Sequence, residues 1–384
     1  MWVQFDGGDP ASYMIQPDPM VETSKLPDDA IRVSPEAAKR FASALFHATG
    51  VPVPESGLVA EVLVSADLRG IRSHGVARLP YFLTRLESGA IAPDPEMPFE
   101  QRTPTTGTLD AGNGIGIVAA DRGMTEAMRM ALDKGSGFVA IKDSSHFGYA
   151  GFWAERAMRS GLIGISMSNS GRRVAPTFGV DSVLGTNPLA VTLPGSEGET
   201  DFYLDMATST VAVGKVETAV REGRALPPGW VASTRTPELD SNGVLSFDSP
   251  LLPLGGEGTE GGGHKGYGLG LMVELLCGAL GGTGFEARMA GADGSAPPAM
   301  GHLMGALNIE GFRPLAEFQT DMATTFDLIR ASSRAPDQDR IFIHGELETL
   351  AETTNSREGI AVTQVVLGQL EAWGERLGVE TGLV

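Results

Sequence analysis

Two periods of apolar residues divide the chain. Residues 1–33, rich in Pro, Asp and Gly, show no sustained period and read as an extended arm. Ser34-Pro35-Glu36 then offers a capping hydroxyl, a proline at the first helical position and an early acid, which together mark a helix start. The period that follows predicts helices over about 35–49, 54–69 and 76–88, so residues 34–104 form a helical subdomain. From residue 105 the pattern changes. "GTLDAGNGIGIVAADRGMTEAMRMALDKG" reads as a strand end, a glycine turn and a helix. "GFVAIK" (137–142) is a short β-branched strand, and "YAGFWAERAMRSG" is an amphipathic helix (149–160) that stops at Gly161. Strands are expected at "LIGISMS" (162–168) and within "VLGTNPLAVTLPG" and "DFYLDMA". Such alternation predicts an α/β unit over 105–384, with helices on the faces of a sheet. Within it, "GYGLGLMVELLCGALGG" (266–282) reads as a buried helix and "GADGSAPPAMGH" (291–302) as a Gly/Pro/Ala loop. "SREGIAVTQVVLGQLEAWGERLGV" is a final amphipathic helix that can return to the N-terminal part.

Charge and cysteine usage narrow the function classes. A net charge of −19 repels nucleic acid and anionic membranes, so neither is expected as a partner. The single cysteine, Cys277, excludes an internal disulfide and a cysteine-ligated zinc site. "MWVQFDGGDPASYMIQPDP" has neither the basic region nor the apolar core of a secretory signal. The most apolar segment contains Glu274 and several glycines, so a soluble cytoplasmic protein is expected.

His146, in "KDSSHFGYAGFW", lies at a strand-to-helix turn, where open α/β sheets build their sites. Locally it fits both a catalytic histidine and one that packs in a loop. "GNGIG" (112–116) has the wrong spacing for a dinucleotide fingerprint, and "GGGHKGYG" (261–268) lacks the Ser or Thr of a phosphate-binding P-loop. The latter still sets Lys265 at the start of an apolar helix, either as an anion site or as a solvated lysine in a flexible loop. In "RGIRSHGVARLPYF" Ser73, His74 and Arg78 fall close together, and a guanidinium fork matches a carboxylate; an exposed arginine on a helix face is the plainer alternative. Asp205 ends a strand, where it can tune a histidine or cap a helix. The six histidines are dispersed and no ligand spacing points to a metal.

Taken in order, "RGIRSHGVARLPYF", "SSHFGYAGFW", "GLIGISMSNS", "GTNPLAV", "LDMATSTVAVGKV", "LPPGWV", "HKGYGLGLMVELL" and "IHGE" closely resemble the malate/L-lactate dehydrogenase-type family over roughly residues 35–380. That family includes L-sulfolactate and ureidoglycolate dehydrogenases and Δ1-piperideine-2-carboxylate reductases. The resemblance implies a non-Rossmann α/β fold, a three-layer mixed sheet with an N-terminal helical subdomain, in which 105–384 binds the dinucleotide. It implies NAD or NADP as cofactor and a homodimer with sites near the subunit interface. It makes His146 the proton donor and acceptor and sets Ser73, His74 and Arg78 against the substrate. Ser170, Asp205, Met206, Ala207, Lys265, Gly345, Glu346 and Leu347 match dinucleotide-contacting positions, and Asp205 is also expected to support the charge of His146. The activity implied is hydride transfer between NAD(P)H and a small 2-oxo/2-hydroxy acid. Its alternatives are reduction of cyclic 2-imino acids, ureidoglycolate- or sulfolactate-type oxidation, or a silent dinucleotide-binding sensor. The chain departs from the family pattern at Arg172 and Arg173, read as solvated, at Phe82, where a tyrosine hydroxyl is replaced, and at His344.

Overall fold

The computed structural model describes residues 30–221, 225–232, 238, 249–285 and 297–383. Ala30–Val33 (β1) leads into helix α1 (Pro35–Ala48), capped by the Ser34 hydroxyl, which accepts the Ala37 N–H at 3.3 Å. Helix α2 (Val53–Leu68) packs on α1. Two single 3-10 turns, Arg72–His74 and Val76–Arg78, precede α3 (Leu79–Glu87). The α/β part follows as β2 (Phe99–Thr103), β3 (Thr106–Asp110), α4 (Gly116–Lys134), β4 (Ser136–Ser144), α5 (Ala150–Met158), β5 (Leu162–Ser168), β6 (Leu189–Leu193) and β7 (Phe202–Met206). Then come α6 (Val213–Arg221), α7 (Gly263–Glu274) with a π-helical turn at Leu275–Ala279, β8 (Met300–Asn308), α8 (Leu315–Arg330), α9 (Glu346–Glu358), β9 (Ile360–Thr363) and α10 (Gln364–Leu377).

Seven strands form one sheet in the order β2-β3-β4-β8-β5-β6-β7, in which only β3 and β4 run parallel. Alternate residues of the central strands feed two different cores, as a period of two requires. Val139, Ile141, Met304 and Ala306 join the core under α4 and α5, whereas Ala140 and Leu303 join Val273 and Cys277 of α7 and its π-turn. The result is three layers. Helices α4 and α5 approach closely because glycines face them: a Cβ on Gly137 would collide with the Ala127 carbonyl, and one on Gly164 with that of Ala154. Helix α10 lies against α1 and α3, α9 lies against α2, and β9 pairs antiparallel with β1.

The structure corrects four readings. Residues 300–302, expected in a loop, open β8, which lies at the centre of the sheet; residues 291–296 lie outside the described residues. Ile360–Thr363, expected as helix, is a strand. Of the extended arm, residues 30–33 are a paired strand and residues 1–29 lie outside the described part. The apolar 266–282 segment is not buried all round, since Leu275 and Leu280 are 53% and 61% exposed. No described helix is long and apolar enough to cross a membrane.

Candidate active site

His146 stands in the turn between β4 and α5. The turn is pinned by Ser145, whose hydroxyl donates to the Gly114 carbonyl (3.0 Å) and accepts the Gly116 N–H at the start of α4 (2.9 Å). Gly148, at φ 84°, donates its N–H to His146 Nδ1 (3.1 Å). That bond leaves the neutral ring's proton on Nε2. His74 lies 5.4 Å from the His146 ring, Tyr81 5.8 Å and Phe82 6.1 Å, the last two edge-on. The segment of the two 3-10 turns is knit by Ser73, whose hydroxyl meets His74 Nδ1 at 2.9 Å and whose carbonyl accepts from Arg78 Nε at 2.7 Å. Arg85 covers the outer face of Tyr81, its guanidinium 3.9 Å from the ring centre.

This environment disfavours a charged imidazole. Burial, then the fields of Arg78, His74, His302 and Arg85, hold His146 well below its usual range, and burial with Arg78 lowers His74 to about 3. The structure thus brings Ser73, His74, Arg78 and His146 together across more than seventy residues of sequence.

Asp205, the penultimate residue of β7, sits elsewhere. Its carboxylate accepts the Gly151 N–H (2.7 Å) in the first turn of α5, a favourable place for negative charge. Burial and the charge of Glu348 nevertheless raise it to about 6, against the Gly151 bond and Arg69. Among the described residues no hydrogen bond joins it to His146, and the charges that act on it are those of Glu348 and Arg69. Met206 and Ala207 follow, half-buried.

The start of α9 docks on the same strand: the Tyr203 N–H donates to the His344 carbonyl (3.0 Å), and Gly345, at φ 101°, has no room for a Cβ beside Tyr203. Glu346 is engaged by Arg330 (2.9 Å) and Arg340 (3.1 Å) and accepts the Ile343 N–H at 2.6 Å; Leu347 next to it is half-buried. Ser170, beyond β5, accepts the Thr186 N–H (2.9 Å), while Asn187 binds Ser170 N–H and reaches Gly270 and Glu274 on α7. Lys265 is exposed in the first turn of α7, after Gly262 at φ 87°, and no side chain caps that helix. Arg172 and Arg173, read as solvated, are half-buried.

Over residues 33–371 the sequence matches the family described as malate/L-lactate dehydrogenase. The chain belongs to this family. The malate dehydrogenase of Pyrococcus abyssi is 38% identical over 361 residues, spanning 94% of this chain and 99% of its own. The L-sulfolactate dehydrogenase of Methanocaldococcus jannaschii is 33% identical over 90% and 97% of the two chains. The solved malate dehydrogenase of Pyrococcus horikoshii OT3 shares the fold with a TM-score of 0.84 at 36% identity, covering 92% and 98%. As a malate/L-lactate dehydrogenase family member, the protein is an oxidoreductase acting on 2-hydroxy acids with a nicotinamide nucleotide.

One buried group of this family member escaped the sequence reading. His302 of β8 stacks on Phe147, 4.6 Å between ring centres and 5° from parallel, directly behind His146. Its two nitrogens meet the hydroxyls of Ser168 (2.8 Å) and Ser144 (2.9 Å) on the flanking strands, and burial lowers it to about 3. The only signal was an apolar run around a histidine at 300–308, which glycines disguised as a loop.

Proposed function

We propose that the protein interconverts a small 2-hydroxy acid and its 2-oxo acid, with His146 carrying the proton and Arg78 binding the substrate carboxylate. The observation that carries this reading is the packing of the Ser73–Arg78 segment over the His146 ring. When bound, a nicotinamide supplies or takes the hydride at the substrate's C2. A guanidinium offers a carboxylate two parallel donors, which fixes the acid end and leaves C2 toward the imidazole. In oxidation His146 removes the hydroxyl proton; in reduction, as imidazolium, it donates to the developing alkoxide. Accepting a proton at Nε2 requires the Gly148 contact on Nδ1 to give way to an Nδ1–H, so the ring or the turn shifts during turnover.

The start of α7 fits the pyrophosphate of NAD or NADP. Gly262 gives the helix start no side-chain cap, and the exposed Lys265 ammonium stands in its first turn. Ser170, Asp205, Met206, Ala207, Gly345, Glu346 and Leu347 are proposed to complete the cofactor site. The exposed Leu269 and Met272 of α7, with Leu275 and Leu280 just beyond it, support a homodimer, and a cytoplasmic location is proposed with it.

The test is turnover of a panel of 2-oxo acids and cyclic 2-imino acids with NADH and NADPH, followed by nicotinamide absorbance. Reduction of a 2-oxo acid with one cofactor preferred is the expected result. Cofactor binding without turnover on the whole panel would refute the reading in favour of a sensor.

A further inference from the structure

Beneath the segment that presents Ser73, His74 and Arg78 lies a carboxylate to which the reaction gives no part. Asp67, in the last turn of α2, is 4% exposed, and its Oδ2 accepts the Val76 N–H at 2.8 Å. Val76 opens the second 3-10 turn, so the carboxylate caps that turn from another element. Gly75 fits over the same group. Its φ of −86° suits any residue, yet a Cβ there would collide with the Asp67 carboxyl, so the glycine is required by space and not by backbone conformation. By contrast, the His74, Gly75 and Arg78 N–H groups bond the carbonyls of Ile71, Arg72 and Gly75, inside or beside the segment.

The anchor is itself held firmly. Asn355 of α9 donates its amide to the Asp67 and Leu68 carbonyls (3.3 and 2.9 Å), closing the end of α2. Arg72 lends positive field, yet burial lifts the carboxyl to about 7. A buried acid at this price is a poor stabiliser compared with an apolar residue of similar volume. What it provides is a directional bond to one backbone amide.

We propose that Asp67 is a positioning residue: through the Val76 N–H it sets the height and angle at which the 72–78 segment presents Ser73, His74 and Arg78 to a substrate at His146. This rests on the reading of that segment as the substrate-binding one.

The test compares Asp67→Ala, Asp67→Asn and Gly75→Ala with the wild type. Expected for Asp67→Ala and Gly75→Ala is a rise in KM for the 2-oxo acid of about ten-fold or more, with cofactor Kd within about two-fold and faster amide exchange at Val76. Asp67→Asn, whose side-chain carbonyl can accept the same N–H, should return KM to within about three-fold of wild type. A folded Asp67→Ala or Gly75→Ala protein with wild-type KM overturns the proposal, as does an asparagine variant no better than alanine. If Asp67→Ala does not fold, Gly75→Ala carries the comparison, because it displaces the carboxylate without emptying the core. Should the wild type reduce no 2-oxo acid, the proposed function falls by itself. Val76 exchange then still decides the anchor: unchanged protection overturns it and lost protection supports it.

Discussion

Replacing Asp205 with asparagine should make the protein more stable in base while impairing its reaction. The carboxyl rises from 3.8 to about 6 in the folded chain. The native state therefore holds this proton more tightly than the unfolded state does, and the group's stabilisation, complete below about pH 4, is lost as pH rises through 6. Each pH unit of such a rise is worth about 1.4 kcal/mol, so the ionised side chain costs about 3 kcal/mol at pH 8 and about half of that at pH 5. Asparagine is neutral throughout and its carbonyl can still accept the Gly151 N–H. Because the side chain is half-buried, solvent trims the gain at pH 8 to about 1–3 kcal/mol. Urea unfolding at pH 5 and pH 8, with wild type alongside, reads the difference from the transition midpoints at constant slope. Steady-state rates should fall in the same variant, because a destabilising charge kept in a fold implies a use for it. An asparagine variant no more stable than wild type at pH 8, or a gain that does not shrink at pH 5, would show that burial does not set the Asp205 carboxyl as argued.

Four further outcomes follow from the His146 cluster. His146→Ala should lose about 10²-fold or more in kcat with near-normal cofactor affinity, the loss expected for a missing general acid, as read by steady-state kinetics and fluorescence titration. Because burial and then Arg78 keep His146 neutral, kcat/KM for oxidation should hold its plateau below pH 6.5, further into acid than an ordinary imidazole allows, and a limb at 6.5 would contradict this. Arg78→Lys should raise KM for 2-oxo acids by about ten-fold or more, since a point charge replaces a two-pronged donor; an unchanged KM removes Arg78 from that role. Binding of a non-reducible 2-oxo acid analogue should draw a fraction of a proton per site at about pH 6, because its carboxylate offsets the Arg78 field on the ring while burial still opposes the charge. Calorimetry in two buffers of different ionisation enthalpy measures that uptake, and His146→Ala should abolish it.

Local signals made much of this molecule legible. Ser34 capped a helix where the hydroxyl preceded Pro35, and the strand, turn and helix around His146 could be read from residues 137–160 alone. Their chemical assignment needed the ordered family motifs. What stayed hidden depended on partners far off in sequence. The β8 strand holds Gly301 and Gly305 because the Cys277 carbonyl and the Phe138 ring occupy the space a Cβ would need, and Gly301 fell at the end of the segment read as a loop. The β9 strand exists only because residues 30–33 pair with it. Helix α8 carries Leu315, Phe318, Met322, Phe326 and Ile329 at helical spacing, yet only Phe326 is buried, and the sequence reading passed over it. For Asp205 the position at a strand end was visible, but which helix terminus would meet its carboxylate was not.

The charge pattern also explains how an acidic protein handles an anionic substrate and cofactor. Forty-eight acids against twenty-nine basic residues give a repulsive field overall. Around His146, however, Arg78 and Arg85 supply cationic charge, while the carboxyl beneath the segment, Asp67, is buried and tied to a backbone amide. Low dielectric near these groups strengthens their pull at short range, whereas salt screens the surface acids beyond about 8 Å. The same guanidinium groups that favour an anion also drive the proton off His146. Burial opposes the charged ring as well, but a ligand carboxylate offsets the guanidinium part of the field, so the imidazolium needed for reduction is less disfavoured when there is something to reduce.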